Sequence, residues 1–326
     1  MRRAGKVPCY ARFARGPDGR VVYGPLMRTF GWFLLLFLIG FAAVAVLAYP
    51  AWALLDPVFD LRFHRVGSRI GMLALAIGFV LLARRMRLSD RASLGYGLPR
   101  KSFLRELGIG AVLGIGLMLP VVALMTGLDL RDLREGVTLD AATLAPLVIV
   151  GLLRGLAVAF IEETFIRGAM FTGIARESGA RRAILLTSLI YAAAHFIGRH
   201  RIPDEEVSWT SGLELIAGFL HNFADPAGNA DAFLCLFAVG MLLGIVRSLT
   251  GNIAACIGLH AGWVFIITFV RETSVPDPAH PLGFLLSRFD GFVGWLVLAW
   301  TCLIGAGVCL FYRKRAQAPA GEVRAS

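Results

Sequence analysis

Eight apolar stretches recur along the chain, at about 30–52, 66–84, 107–126, 145–172, 182–198, 231–249, 252–270 and 290–312. Each is near the ~20 residues that a helix needs to cross a hydrocarbon core of about 30 Å. The pattern predicts an all-α polytopic membrane bundle over residues 30–312, with about eight transmembrane helices. Two connections are more than loops. Residues 199–230 include SGLELIAGFLHNFADP, apolar at helical spacing but too short and polar to span, which predicts an interfacial helix or a re-entrant flap. Residues 271–289, with three prolines, predict an outer loop carrying a second surface helix. There is no internal repeat and no low-complexity segment.

Charge orients the bundle. Basic residues crowd the N-terminus (Arg2, Arg3, Lys6, Arg12, Arg15, Arg20, Arg28), the connection 84–105, the turn with Arg176, Arg181 and Arg182, the end of the sixth span at Arg247, and Arg313–Arg315. The acids collect on the alternate side, in DLRDLREGVTLD (129–140) and PDEEVSW (203–209). The positive-inside rule then places both termini in the cytoplasm. Residues 1–29 are expected to form a cytoplasmic basic segment and 313–326 a disordered cytoplasmic tail. The lead before the first span is too long for an ordinary cleavable signal, so that span is expected to stay.

Composition agrees with the apolar pattern: mean hydropathy is +0.70, with 57% hydrophobic and 17% charged residues. The net charge of +11 suits anionic lipid headgroups rather than nucleic acid, because the cations flank the spans and no basic-aromatic platform is present. The five cysteines form no CxxC pair, and four lie in apolar spans as small core residues. Arginine far outnumbers lysine, and Ala and Gly are abundant, which points to a GC-rich bacterial genome, so the expected location is a bacterial inner membrane.

The fourth apolar run contains AFIEETFIRGAMF, with Glu162, Glu163 and Arg167. One ionisable group at mid-membrane depth costs about 2.5–3.5 kcal/mol on insertion scales, so three close together imply a use. Glu163 and Arg167 stand at i,i+4 and can pair on one face, whereas Glu162 is turned about 100° away. His195 in the fifth run and His260 in the seventh reach a similar depth when residues are counted from the turns at Gly179 and Gly251. Two carboxylates and two imidazoles are thus expected to converge in one intramembrane cavity, where a glutamate can act as general base on water.

At these residues the sequence resembles the CPBP intramembrane proteases, the group of type II CAAX prenyl proteases and bacteriocin-processing and self-immunity proteins. EETFIR fits its EExxxR motif, YAAAH with His195 fits FxxxH with Tyr191 in place of Phe, and His260 fits the first position of Hxxx(N/D). The likeness covers about 145–270. It implies an intramembrane endopeptidase acting on a prenylated, leader-peptide or other membrane-anchored substrate. In that reading Glu162 activates the water, His195 assists, His260 and a following Asn or Asp stabilise the oxyanion, and Glu163 and Arg167 support them.

The resemblance also admits a zinc ion held by Glu162, His195 and His260. The spacing is not HExxH and each histidine has its own helix, so a metal-free glutamate mechanism with no cofactor is the expectation. Val264 stands where the family has Asn or Asp, and the loss of one oxyanion donor typically costs about 10²–10³ in rate. Asn252 is one candidate substitute and Asn222 another. The valine also leaves open a catalytically inactive membrane scaffold or immunity protein. A proton-coupled transporter would use the same Glu and His chemistry, but inverted repeats are not seen.

Overall fold

The computed structural model describes residues 28–317 except 139, 199 and 278, with side chains as far as Tyr312. Most of the basic N-terminal segment (1–27), Cys9 and the end of the tail (318–326) lie outside the described residues. The helices are α1 (Arg28–Phe59), α2 (Phe63–Arg85), α3 (Arg100–Gly127), α4 (Ala141–Glu163), α5 (Phe171–Ser178), α6 (Ala180–His195), α7 (Ser211–Phe219), α8 (Ala230–Thr250), α9 (Ala254–Thr273) and α10 (Trp295–Gln317). A π-helical segment, Thr164–Met170, joins α4 to α5, so that Ala141–Ser178 run on without a break.

Seven helical stretches among the described residues are long and apolar enough to cross a membrane. Large apolar side chains such as Leu54, Val112, Leu153 and Leu303 lie on the outside of the bundle, where lipid rather than water accommodates them. The chain is an integral membrane protein. The expected span at 182–198 is shorter than its apolar run: α6 has 16 residues, about 24 Å of rise. It stops because the chain turns after His195, and Gly198 N–H then bonds the Phe219 carbonyl at the end of α7 instead of continuing the helix.

Local signals explain several boundaries. The Asp140 side chain accepts the Thr143 N–H at 2.8 Å and starts α4. Gly251, at φ 72°, closes α8 in the left-handed conformation, and Asn252 Oδ1 accepts the Ala254 N–H at 2.8 Å to open α9. This tight turn makes α8 and α9 antiparallel neighbours.

Helix α9 lies at the centre, clasped by α3 and α4 through faces of small residues. A Cβ added to Gly114 of α3 would stand 2.5 Å from the Leu259 carbonyl oxygen, and one added to Gly155 of α4 the same distance from that of Ala261. Gly258 and Gly262 of α9 meet the α3 backbone in the same way. Such backbone-to-backbone approach is how helices associate where water gives no hydrophobic drive. It also fixes the rotation of α9, and therefore the direction in which His260 points.

The outer connections differ in part from expectation. The flap at 199–230 does contain a helix, α7, which packs on α1: a Cβ on Gly212 would lie 2.5 Å from the Ala45 carbonyl oxygen, and Leu215 is buried with Val44 and Ala48. Among the described residues of 271–289 there is no second surface helix beyond a single 3-10 turn, Gly283–Leu285. Instead β2 (Ser274–Pro276) pairs antiparallel with β1 (Arg131–Leu133), in register Arg131↔Pro276 and Leu133↔Ser274. The Arg131 guanidinium ties this ribbon down through the Ser274 hydroxyl and carbonyl at 2.9 Å each and the Gly291 carbonyl.

Candidate active site

Glu163 and Arg167 are both fully buried, and the guanidinium Nη1 donates to Glu163 Oε1 at 3.0 Å. Arg167 also donates from Nη2 to the Gly240 carbonyl of α8 at 3.3 Å and lies over the Tyr191 ring, 4.5 Å from its centroid. The i,i+4 pair is therefore bolted to α6 and α8. His260 from α9 completes it, with Nδ1 2.9 Å from the same Glu163 oxygen. A carboxylate only accepts, so the imidazole donates Nδ1–H to it and turns Nε2 the other way. That Nε2 faces Glu162 Oε2 at 3.9 Å, beyond direct hydrogen-bond length and wide enough for a bridging water.

The two glutamates are thus separated in role by one helical step. Glu163 holds Arg167 and His260 through Oε1, whereas Glu162 is partly exposed; Oε2 of each is enclosed with no hydrogen-bond partner among the described residues. The π segment that follows also serves the packing. π-Bulges widen a helix and free backbone groups. Here the Arg167 carbonyl accepts the Arg247 Nε–H at 2.9 Å, while Arg247 Nη2 reaches Thr172 Oγ1 at 3.3 Å. Phe165, on the same segment, meets Phe33, Phe37 and Phe79 of α1 and α2.

Arg247 was expected as a loop charge that orients the chain, but it is a buried brace of the motif helix. Its signal in the sequence is its position inside the apolar run, one turn before the Gly251 helix end.

His195, the last residue of α6, folds its Nδ1 back onto the Tyr191 carbonyl at 2.8 Å. A carbonyl only accepts, so the proton sits on Nδ1 and Nε2 keeps its basic lone pair. Tyr191 packs between the two histidines, 4.5 Å from the His195 ring and edge-on to His260 at 5.8 Å. His195, His260, Tyr191, Trp263 and Val264 all line a cavity of about 220 Å³ that extends to Arg271 and Asp290 beside the β-ribbon. Val158, one turn before Glu162 on the same face of α4, lines it too, and Glu162 adjoins it through His260 Nε2.

The structure gathers Glu162, Glu163 and Arg167 about His260 and puts His195 in the cavity that His260 lines. No direct His195–Glu162 contact occurs among the described residues. Asn252 is not at the site. Besides capping α9, it spends its amide on Glu106 Oε2 at 2.9 Å and the Thr250 carbonyl at 3.1 Å, eight residues or about 12 Å along the helix from His260. Asn222 donates to the Phe196 carbonyl at 3.2 Å in the flap and is not a cavity residue. As for zinc, no three His, Cys, Asp or Glu side chains converge as a metal requires among the described residues. Glu162, His195 and His260 in this arrangement do not form a ligand set.

No curated protein and no solved structure matches the chain. Residues 144–266 match the family model described as type II CAAX prenyl endopeptidase Rce1-like, and this segment carries Glu162, Glu163, Arg167, His195 and His260. Over this segment, less than half of the chain, the protein is similar to the CAAX-type endopeptidases of the CPBP group.

Proposed function

We propose that the chain is an endopeptidase of a bacterial inner membrane that cleaves a membrane-associated peptide or protein with a water activated by Glu162. The observation that carries this reading is the division of the two carboxylates about His260. Glu163, fully buried, holds both Arg167 and Nδ1 through Oε1, while Glu162, its side chain 31% exposed, faces Nε2 across a gap of 3.9 Å; Oε2 of each has no hydrogen-bond partner among the described residues.

In the reaction, water sits against Glu162 with the His195 Nε2 lone pair orienting it. Its oxygen attacks the scissile carbonyl carbon while Glu162 takes a proton. The carbonyl π pair moves onto oxygen, and His260, as an imidazolium with Nδ1–H kept on Glu163, donates Nε2–H to that oxyanion. Collapse re-forms the carbonyl and breaks the C–N bond, and the proton held by Glu162 passes to the leaving amine. Arg167 and Glu163 hold His260 in place and touch no reacting atom.

The test is cleavage of a quenched peptide with a C-terminal farnesyl-cysteine motif by purified protein in detergent, alongside Glu162→Gln. Expected is a loss of at least about 10²-fold in Glu162→Gln, the scale of general-base catalysis, with no effect of a chelator. Full activity in Glu162→Gln would sink the assignment of the base. Loss with chelator and return with zinc would replace it with a metal mechanism.

Val264 supports a second reading. It lines the cavity without a polar atom, as a catalytically inactive scaffold would tolerate. Absence of cleavage in both wild type and Val264→Asn would favour that reading.

A further inference from the structure

An oxyanion site needs a donor besides His260, and the cavity wall narrows the choice. Among its polar side chains, Trp300 spends its indole N–H on the Leu117 carbonyl at 2.7 Å, and the Thr301 hydroxyl bonds the Val297 carbonyl at 2.7 Å. The Trp263 indole nitrogen has no partner among the described residues but is fully enclosed, so an incoming oxygen does not reach it. Thr268 lies eight residues beyond His260 on α9, about 12 Å away, and Arg271 is farther still and faces Asp290.

Tyr191 remains. Its hydroxyl makes no hydrogen bond among the described residues, yet it is not among the enclosed atoms that lack a partner. It therefore opens into the cavity that the residue lines. The ring below it is held from three sides, by Arg167 at 4.5 Å, His195 at 4.5 Å and His260 at 5.8 Å. A phenylalanine would make each of those contacts equally well, so the packing has no use for the hydroxyl. On a residue only 3% exposed, a hydroxyl that bonds nothing is costly to keep.

We propose that the Tyr191 hydroxyl is a catalytic oxyanion donor, hydrogen-bonding the scissile carbonyl oxygen where residue 264 offers only a methyl-bearing side chain. The inference rests on the peptidase reading above. The donor is preorganised, because the ring is fixed before substrate arrives, and this is the condition under which such a bond contributes most. No proton leaves Tyr191. Its O–H shortens its bond to the oxygen as charge builds there and relaxes when the carbonyl returns.

The experiment compares wild type, Tyr191→Phe and Tyr191→Phe/Val264→Asn on the farnesyl-cysteine peptide. Tyr191→Phe keeps every ring contact and the fold. Its kcat is expected to fall about 10²–10³-fold with little change in KM, and the added asparagine to restore at least a tenth of wild-type kcat. A fall of less than about tenfold in Tyr191→Phe, well under the effect of one oxyanion donor, overturns the proposal.

A second measurement needs no turnover. A peptide ketone labelled with carbon-13 at the carbonyl is bound to Glu162→Gln protein with and without Tyr191→Phe, and the carbonyl stretch is read by difference infrared spectroscopy. The stretch is expected at lower frequency with tyrosine present. An identical stretch in both overturns the tyrosine assignment alone, even if the peptidase reading stands. Failure of the ketone to bind either protein counts against both.

Discussion

Arg167→Met is the most direct probe of how the motif helix is held. The substitution removes the 3.0 Å ion pair to Glu163, the bond to the Gly240 carbonyl and the cation over Tyr191, and it leaves comparable volume behind. What remains is a fully buried Glu163 whose only partner among the described residues is His260. Breaking a buried pair by removing one member typically costs about 3–5 kcal/mol, mostly the penalty of the stranded charge. Replacing both members is often close to neutral. Glu163→Gln/Arg167→Met should therefore recover most of the loss, because the glutamine oxygen still accepts from His260 Nδ1.

The assay is thermal unfolding in detergent followed by a thiol-reactive dye. Cys235 and Cys256 are free and buried, and Cys302 and Cys309 are free and exposed. With Cys9, Cys302 and Cys309 replaced by alanine, labelling reports opening of the core. At roughly 2–4 °C per kcal/mol, Arg167→Met should lower the midpoint by on the order of 10 °C. A drop worth less than about 1 kcal/mol, or a double variant no more stable than the single one, would refute the view that the pair is coupled and the charge stranded.

Two further outcomes follow from the helix packing and from the loop between α2 and α3. Gly258→Ala sets a Cβ against the Leu107 carbonyl and 2.7 Å from Ala111 N, so α3 and α9 must part, at a cost of about 1–3 kcal/mol in the same thermal assay. Gly116→Ala, with nothing within 4 Å of the new atom, should be neutral or slightly stabilising, and equal losses in the two would remove close helix contact as the cause.

Asp90 accepts from Ser93 N at 2.9 Å and from the Ser93 hydroxyl, and these bonds hold its carboxyl below the ordinary 3.8. A lowered carboxylate contributes stability that is complete above its unfolded value and fades as pH falls through the folded one. Asp90→Asn should therefore melt earlier than wild type at pH 7, with the gap closing below about pH 4. A gap that persists unchanged at low pH would assign the effect to something other than charge.

Much of the site was open to counting. The spacing of Glu163 and Arg167 announces a pair, and depth along α9 brings His260 to the motif helix, where it bonds Glu163. His195 was placed at that depth too, and it does share the cavity. Counting also fails in instructive ways. Asn252 is a plausible donor by type, but eight residues of helix carry it a dozen ångströms from His260, into a capping role that its place after Gly251 advertises.

The π segment has no local signature. Its freed Arg167 carbonyl is tolerable only because Arg247 arrives from α8, a fact of tertiary packing. The β-ribbon has three residues per strand, too few for a period, and is held largely by the Arg131 side chain. Helix α6 ends inside an apolar run because the flap supplies a carbonyl for Gly198, which hydropathy does not register.

The doubled glutamate is the feature that these observations explain best. The carboxylate that orients His260 is fully buried and ion-paired with Arg167, so it is the partly exposed Glu162 that stays available to water. Two successive residues on a helix point about 100° apart, so one side chain enters the Arg167–His260 cluster while its neighbour turns toward the open nitrogen of the same ring. The observed distances follow that division: 2.9 Å from His260 Nδ1 to Glu163 and 3.9 Å from Nε2 to Glu162. Exchanging the two roles would require rotating α4 against α9, and the backbone contact of Gly155 with Ala261 leaves no room for it. The small residues that clasp α9 therefore decide which glutamate is structural and which faces the chemistry.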